Sequence, residues 1–317
     1  MIQDLYVKTY YKLIGAIFCL KPLRFIVRTL ANHHLKYSFR YNTAKKKCSG
    51  KSEDVIVSLT SFPARINNLW IVVESLLRQS VSPQKIIIWL SKEQFTSQSI
   101  PLSLQKLESR GVEIRLVDGD IKSHKKYYYV FQEYPTSLVM LADDDIIYPS
   151  DLIESLLIAR KSLNAKKVIA HKYGYRMKWD NNGHLLPYNN WGAFYSAYTG
   201  EDLFFGSGGG TLVRPSDFYK DVLNLDLALK LCPKADDVWL NAMARLGGCK
   251  YVKVQDGPIL SIQTKEDVPL YKQNMRQGQN DVQLSAVSDY YIKTNNMNPF
   301  KINKSSITHN WKYFQDK

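Results

Sequence analysis

Four short apolar runs limit what this chain can become. Residues 54–59, 85–90, 112–117 and 138–142 are each largely apolar, and they recur about 25 to 30 residues apart. Runs this short and this continuously apolar read as strands covered on both faces, as in a parallel sheet. The intervals carry helical patterns. Residues 67–79 place Leu69, Val72, Val73, Leu76 and Leu77 on one side, a buried stripe of helical period. A second helix is predicted over 102–110, closed by Gly111, and a third over 125–133. Strand and helix alternating at this spacing build right-handed βαβ units, so the expected class is α/β with a mostly parallel sheet. A length of 317 residues suits one large domain of this kind with appendages.

The fourth run has a second property. Leu138 to Ala142 leads directly into Asp143, Asp144 and Asp145, followed by Ile146, Ile147, Tyr148 and Pro149. Three adjacent carboxylates repel one another and call for a compensating cation. Oxygen ligands alone suit Mg²⁺ or Mn²⁺, which commonly take one or two carboxylates plus substrate phosphates. In open α/β sheets, ligands bind beyond the carboxyl ends of the strands. The competing reading is a solvated acidic turn in which Asp145 or Ser150 caps a helix starting near Pro149.

Loops at the other strand ends carry further candidates. Thr60, Ser61, Pro63 and Arg65 follow the first strand, with hydroxyls, backbone amides and a guanidinium suited to a nucleotide's base and phosphates. Asp118 and Asp120 follow the third, and then Lys125 and Lys126, a pair able to face a diphosphate across the acidic cluster. Either loop could equally be ordinary surface. Downstream, Gly206-Ser207-Gly208-Gly209-Gly210-Thr211 lacks the Gly-Lys-Ser/Thr ending of a P-loop. Its glycines either admit a sugar close to backbone or form a hinge. The span 173–205 is rich in aromatics, including Trp179, Tyr188, Trp191, Phe194 and Tyr198. These either stack on an acceptor sugar or pack a second subdomain.

The order of these motifs, closed by Ala-Asp-Asp-Asp-Ile-Ile-Tyr-Pro, resembles the GT-A fold glycosyltransferases, in particular bacterial family 2-like enzymes that build surface polysaccharides. The resemblance spans about residues 54–250. It implies a Rossmann-like sheet holding a nucleotide-sugar donor, a UDP-sugar first among them, at its carboxyl edge. Thr60, Ser61, Pro63, Arg65, Asp118, Lys125, Lys126, Asp143 and Asp144 would contact that donor. Mn²⁺ or Mg²⁺ on Asp143, Asp144 and Asp145 would bridge its diphosphate, with His309 as a further ligand. Trp191, Gly208, Gly209 and Gly210 would meet the acceptor. The family's acidic residue after the second strand is replaced here by Trp89-Leu90-Ser91.

Inverting members carry an acidic residue that acts as catalytic base in a position matching Asp237, within Lys234-Ala235-Asp236-Asp237 at the start of a helix. Asp237 would deprotonate the acceptor hydroxyl, with Asp236 orienting it or capping the helix. The implied acceptor is a glycan or lipid-linked glycan in capsule, O-antigen or other surface polysaccharide synthesis. Two rivals stand beside this reading: a nucleotidyl- or phosphotransferase using the same acidic cluster, and a non-catalytic sugar-nucleotide-binding protein at a membrane surface.

The net charge of +14 sits at the ends. Residues 1–51 hold 11 Lys/Arg against Asp4, residues 293–317 hold five Lys against Asp316, and the 27 basic and 27 acidic residues between them cancel. The implied organisation is a basic amphipathic segment over 1–51, a catalytic domain over 52–292 (donor half 52–170, acceptor half 171–292), and a basic tail. The apolar run 13–20 is too short to span a bilayer. After Pro22, Leu23, Ile26, Val27 and Leu30 fall on one helical face and Lys21, Arg24 and Arg28 on another. That pattern fits a helix lying on an anionic membrane surface, here expected at the cytoplasmic face, or else a helix packed on the domain. Residues 45–51 read as a polar linker. No nucleic-acid-binding motif is present, so nucleic acid is not an expected partner. Four scattered cysteines fit a reducing compartment rather than a disulfide framework.

Overall fold

The computed structural model describes residues 2–12, 21–41, 47–48, 55–192, 194–257, 259–262 and 278–301. The apolar run 13–20, most of the expected linker, the tail beyond 301 and His309 lie outside the described residues.

Two helices, α1 (Ile2–Lys12) and α2 (Lys21–Tyr41), precede the sheet. The four expected strands form as β1 (Val55–Thr60), β2 (Lys85–Ser91), β3 (Val112–Val117) and β4 (Leu138–Ala142). Between them lie α3 (Pro63–Leu77), the single-turn α4 (Leu102–Gln105) and α5 (Lys125–Glu133). The helix expected over 102–110 is broken. After α4 the chain tightens into a 3₁₀ turn, Glu108–Arg110, before Gly111 turns it with φ +88°. Pro63 opens α3 four residues earlier than the apolar stripe suggested, because its fixed φ suits a first helical turn.

The second half contributes α6 (Leu152–Ser162), β5 (Val168–His171), β6 (Gly174–Arg176), β7 (Tyr198–Thr199), β8 (Leu203–Phe205) and β9 (Gly209–Val213). It continues with α7 (Leu225–Leu231), α8 (Asp236–Leu246), β10 (Lys250–Lys253) and α9 (Gln279–Asn295). One eight-stranded sheet runs β3-β2-β1-β4-β9-β5-β10-β7, with β6 and β8 paired separately. The β3, β2, β1 and β4 pairings are parallel, as is β5 with β10, while β9 runs antiparallel to both β4 and β5. The mostly parallel α/β sheet stands as expected, and it continues across the 170/171 boundary.

β1, β2 and β4 are largely apolar because each face has its own cover, whereas the edge strand β3 is half-buried and carries Glu113 and Arg115. Val55, Val57 and Leu59 of β1 join one core with α3, α6 and the N-terminal helices, while Ile56 joins the other with α5, α8 and α9. Alternate residues of β2 and β4 divide in the same way.

The N-terminal segment packs on the domain. Val7, Ala31, Leu35 and Phe39 are buried in the first core. Gln3 Nε2 donates to the carbonyl oxygens of Ser75 (3.4 Å) and Tyr148 (3.1 Å), and Asp4 accepts from the backbone N–H and hydroxyl of Ser150. Of the expected linker, Cys48 lies against Gly111 and its N–H donates to the Arg110 carbonyl at 3.0 Å. Among the described residues no helix is long and apolar enough to cross a membrane.

Candidate active site

The order 3-2-1-4 makes the chain leave β1 for β2 on one side and return as β4 on the other. The crevice beyond the carboxyl ends of β1 and β4 is therefore a topological switch point, where such sheets bind ligands. Ser61 to Arg65 leave β1 there, and Asp143 to Asp145 leave β4. A register shift at Leu141/Ala142 brings the turn before β9 over the same edge. The Asp143 N–H donates to the Gly208 carbonyl at 2.9 Å and lies 2.8 Å from the Tyr148 hydroxyl. A Cβ at position 208 would sit 1.7 Å from Asp143 Oδ1. A side chain there would displace the Asp143 carboxylate.

The three carboxylates are compensated by the protein's own cations. Arg65 donates to Asp144 Oδ1 at 2.8 Å and to Asp145 Oδ2 at 3.0 Å, and Ser61 Oγ donates to Asp144 Oδ2 at 2.6 Å. Lys126 Nζ bonds Asp143 Oδ1 at 2.7 Å. Burial raises the Asp144 pKa, with Arg65 and Ser61 pulling it back. Asp143 is the most open of the three, its side chain 41% exposed. Asp145 and Ser150 do not cap α6: its N-cap residue is Asp151, whose side chain makes no capping bond.

In this arrangement the charge of the cluster is balanced by Arg65 and Lys126. Both oxygens of Asp144 are engaged, Asp145 shares Arg65 with it, and Asp143 is held by Lys126. Among the described residues no three His, Cys, Asp or Glu side chains converge as a metal-binding group. A Mn²⁺ or Mg²⁺ ion at Asp143, Asp144 and Asp145 would have to compete with Arg65, Ser61 and Lys126 for these oxygens.

A pair of carboxylates faces this cluster. Asp236 and Asp237 open α8, yet neither caps it: the N-cap is Ala235. Ser207, in the turn beside Gly208, binds both. Its N–H donates to Asp237 Oδ1 and its hydroxyl to Asp236 Oδ2, each at 2.6 Å. Lys126, 4% exposed, joins the cluster to this pair, reaching Asp236 Oδ2 at 3.2 Å. Burial disfavours its charge, but Asp143, Asp236 and Asp237 outweigh that and raise its pKa.

The two aspartates separate in proton affinity. Burial opposes ionisation of Asp236, but Lys126 and the hydrogen bond from Ser207 hold it below the ordinary carboxylate range. Burial and the adjacent Asp236 charge push Asp237 up to about 6. Asp237 also retains partial solvent access, whereas Asp236 is buried. A permanently ionised neighbour beside a base that titrates just below neutrality is the arrangement general-base chemistry needs.

The other candidates scatter. Thr60 Oγ1 donates to the Trp89 carbonyl at 2.7 Å, Pro63 starts α3, and Trp89 is buried and donates to Ser58 Oγ at 3.0 Å. Lys125 pairs with Asp120 rather than facing the acidic cluster, and Asp118 is an 87% exposed partner of Lys92. Gly209 and Gly210 belong to β9, their Cβ directions closed by Tyr173 and Leu152, so their close approach is to the protein's own core. Trp191 is 2% exposed, packs on Tyr188 and Phe204, and donates to the Leu186 carbonyl at 2.8 Å. Its role here is in the core. Residue-by-residue reading passed over Ser207 and Tyr148. The signal for Ser207 was present, as it is the one serine interrupting the glycine run.

The chain matches no known family profile. No curated protein matches it either. Among solved structures it is similar to a mannosyltransferase from Pyrobaculum calidifontis in complex with GDP-mannose and Mn²⁺, at 14% identity over 87% of this chain and 77% of that one, TM-score 0.45. It is also similar to a 4-diphosphocytidyl-2C-methyl-D-erythritol synthase, at 11% identity over 72% of this chain and 99% of that one, TM-score 0.40. A third is residues 1–349 of S. aureus TarS in complex with UDP, at 12% identity over 80% of this chain and 76% of that one, TM-score 0.43. With TM-scores below 0.5, these likenesses carry no argument about activity or ligand.

Proposed function

We propose that the protein is a glycosyltransferase that moves a sugar from a nucleoside-diphosphate donor to a hydroxyl of a glycan or lipid-linked glycan, with inversion. The observation that carries this reading is the divided pair Asp236 and Asp237, held by Ser207 and Lys126 over the switch-point crevice. It joins the sequence resemblance over 54–250, which puts the catalytic base at the position of Asp237.

In this mechanism the donor lies along the carboxyl edge of β1 and β4. Arg65 is a planar guanidinium suited to phosphate oxygens. Asp237, ionised above about pH 6, accepts the proton of the acceptor hydroxyl as its oxygen bonds the anomeric carbon. The bond from that carbon to the diphosphate breaks in the same displacement, and the nucleoside diphosphate leaves. One displacement inverts the anomeric centre. Lys126 keeps Asp236 charged, so the proton goes to Asp237 and not to its neighbour. Surface polysaccharide synthesis is the setting this reading favours, with a UDP-sugar as the first donor to try.

The test is nucleoside-diphosphate release from a panel of nucleotide sugars with soluble oligosaccharide acceptors, with and without Mn²⁺ and in EDTA. Turnover that depends on acceptor and is lost in Asp237→Asn supports the reading. Transfer of a phosphoryl or nucleotidyl group instead, seen as pyrophosphate or a phosphorylated product, would assign the site to phosphoryl chemistry.

A further inference from the structure

The helix α2 is two-sided in an unusual way. Its inner side, with Ala31, Asn32, Leu35, Ser38 and Phe39, is buried on the domain. Its outer side is also largely apolar. Leu23, Ile26, Leu30, Tyr37 and Tyr41 recur at three-, four- and seven-residue steps and are 39%, 49%, 55%, 65% and 67% exposed, with Phe25 beside them. That spacing puts them on one face of a helix about 30 Å long. Single exposed apolar residues are ordinary, but six along one side of an already packed helix, broken only by the exposed His33 and His34, mark a contact surface.

Charge decides what the contact is. The sequence of α2 contains Lys21, Arg24, Arg28, Lys36 and Arg40 and no Asp or Glu. A second copy of the same helix would set like charges against each other. Nucleic acid would satisfy the charges but not a stripe of Leu, Ile and Phe. An anionic bilayer satisfies both, with apolar side chains entering the acyl boundary, tyrosines at the headgroup level and basic groups on the lipid phosphates. We propose that the outer face of α2 is a docking surface for an anionic lipid bilayer.

The surface is joined directly to the candidate site. Asn32 on the inner side of α2 donates to the Ser261 carbonyl at 3.2 Å. Ser261 bridges Ile146, and the neighbouring Ile262 N–H donates to the Asp145 carbonyl at 2.7 Å. In α1, Gln3 holds the Tyr148 carbonyl. The two helices therefore brace the segment leaving the acidic cluster while α2 offers its other side outward. The docking proposal does not rest on the sugar-transfer reading, and its test leaves that reading untouched.

The experiment is sedimentation of the full chain with phosphatidylcholine vesicles, alone or mixed with phosphatidylglycerol, at low and high salt. The expected result is binding to the mixed vesicles only, weakened by salt as screening shortens to a few ångströms. Arg24→Gln/Lys36→Gln/Arg40→Gln should weaken binding about a hundredfold, since each basic group near the surface contributes about fivefold. Ile26→Ser/Leu30→Ser should weaken it at least about tenfold and leave the remainder fully salt-sensitive. Ile26, Leu30 and Arg40 are exposed, whereas Arg24 and Lys36 are half-buried, so an unchanged denaturation midpoint is the folding control for each variant. No binding to anionic vesicles at low salt overturns the proposal. A dimer of the wild type dissolved by Ile26→Ser/Leu30→Ser would assign the face to a second copy. Duplex DNA or RNA bound as tightly as vesicles, and lost with either variant, would assign it to nucleic acid. Either result overturns the bilayer.

Discussion

Asp237→Asn should make the protein more stable and nearly inactive. The Asp237 carboxyl titrates at about 6 in the folded chain against an ordinary value of 3.8. A folded value raised above the unfolded one means the native state holds its proton to higher pH, so ionisation costs stability. That cost is absent below the unfolded value, grows as pH rises toward 6, and is complete above it. Worked from those two values, it is about 3 kcal/mol at pH 7.5 and about half that near pH 5. Asparagine removes the charge, and its side-chain oxygen can still accept the Ser207 N–H. Urea denaturation of wild type and variant should therefore show a gain of up to about 3 kcal/mol at pH 7.5, shrinking as pH falls. In the same variant kcat should drop by about 10² to 10⁴, the usual contribution of a general base. The wild-type rate should fall about tenfold per pH unit below about 6. A variant that is less stable at pH 7.5 with kcat intact would refute the argument, because Asp237 would then be a structural anchor for the turn at Ser207.

The remaining expectations test its neighbours. Lys126→Met strands the buried Asp236 and the linked Asp143, and should cost about 3 to 5 kcal/mol of stability in urea denaturation. Gly208→Ala places a Cβ where Asp143 Oδ1 now lies, so donor binding measured by calorimetry should be lost while the melting temperature falls only modestly. Arg65→Gln removes the guanidinium that pairs with Asp144 and Asp145; competition between Arg65 and a divalent cation there predicts tighter Mn²⁺ binding by calorimetry in the variant, and an unchanged affinity would place any cation elsewhere. Deleting residues 1–41 removes Val7, Leu35 and Phe39 from the core, so the truncated chain should be strongly destabilised in denaturation rather than a stable, merely soluble form.

Local pattern settled a good deal by itself. The strands over 55–60, 85–91 and 138–142 were legible because burial on both faces leaves a nearly continuous apolar run, and the edge strand over 112–117 because its apolar residues end at turn signals on both sides; neither pattern needs a partner to be recognised. The placement of Asp143 to Asp145 at a strand's carboxyl end followed from the same run. The α2 pattern after Pro22 was legible because helical period is also local. The sequence left two readings for that segment, a membrane-facing helix or a packed one, and the structure shows the packing while leaving an apolar side outward.

Only the tertiary structure could decide which charges meet. Lys125 and Lys126 are adjacent in sequence, yet one pairs with Asp120 at the edge of β3 and the other joins β4 to α8. Nothing in the local pattern distinguishes them, because a side chain's partner is set by how distant segments cross, not by its neighbours. The same holds for Ser207, which acquires two carboxylates from α8 through the turn before β9, and for Trp191, whose ring closes a core instead of meeting solvent. Apolar period is fixed by the residue and its near neighbours. Electrostatic compensation is a property of the whole chain's path, and it is what turns five aspartates and two cations into a candidate site.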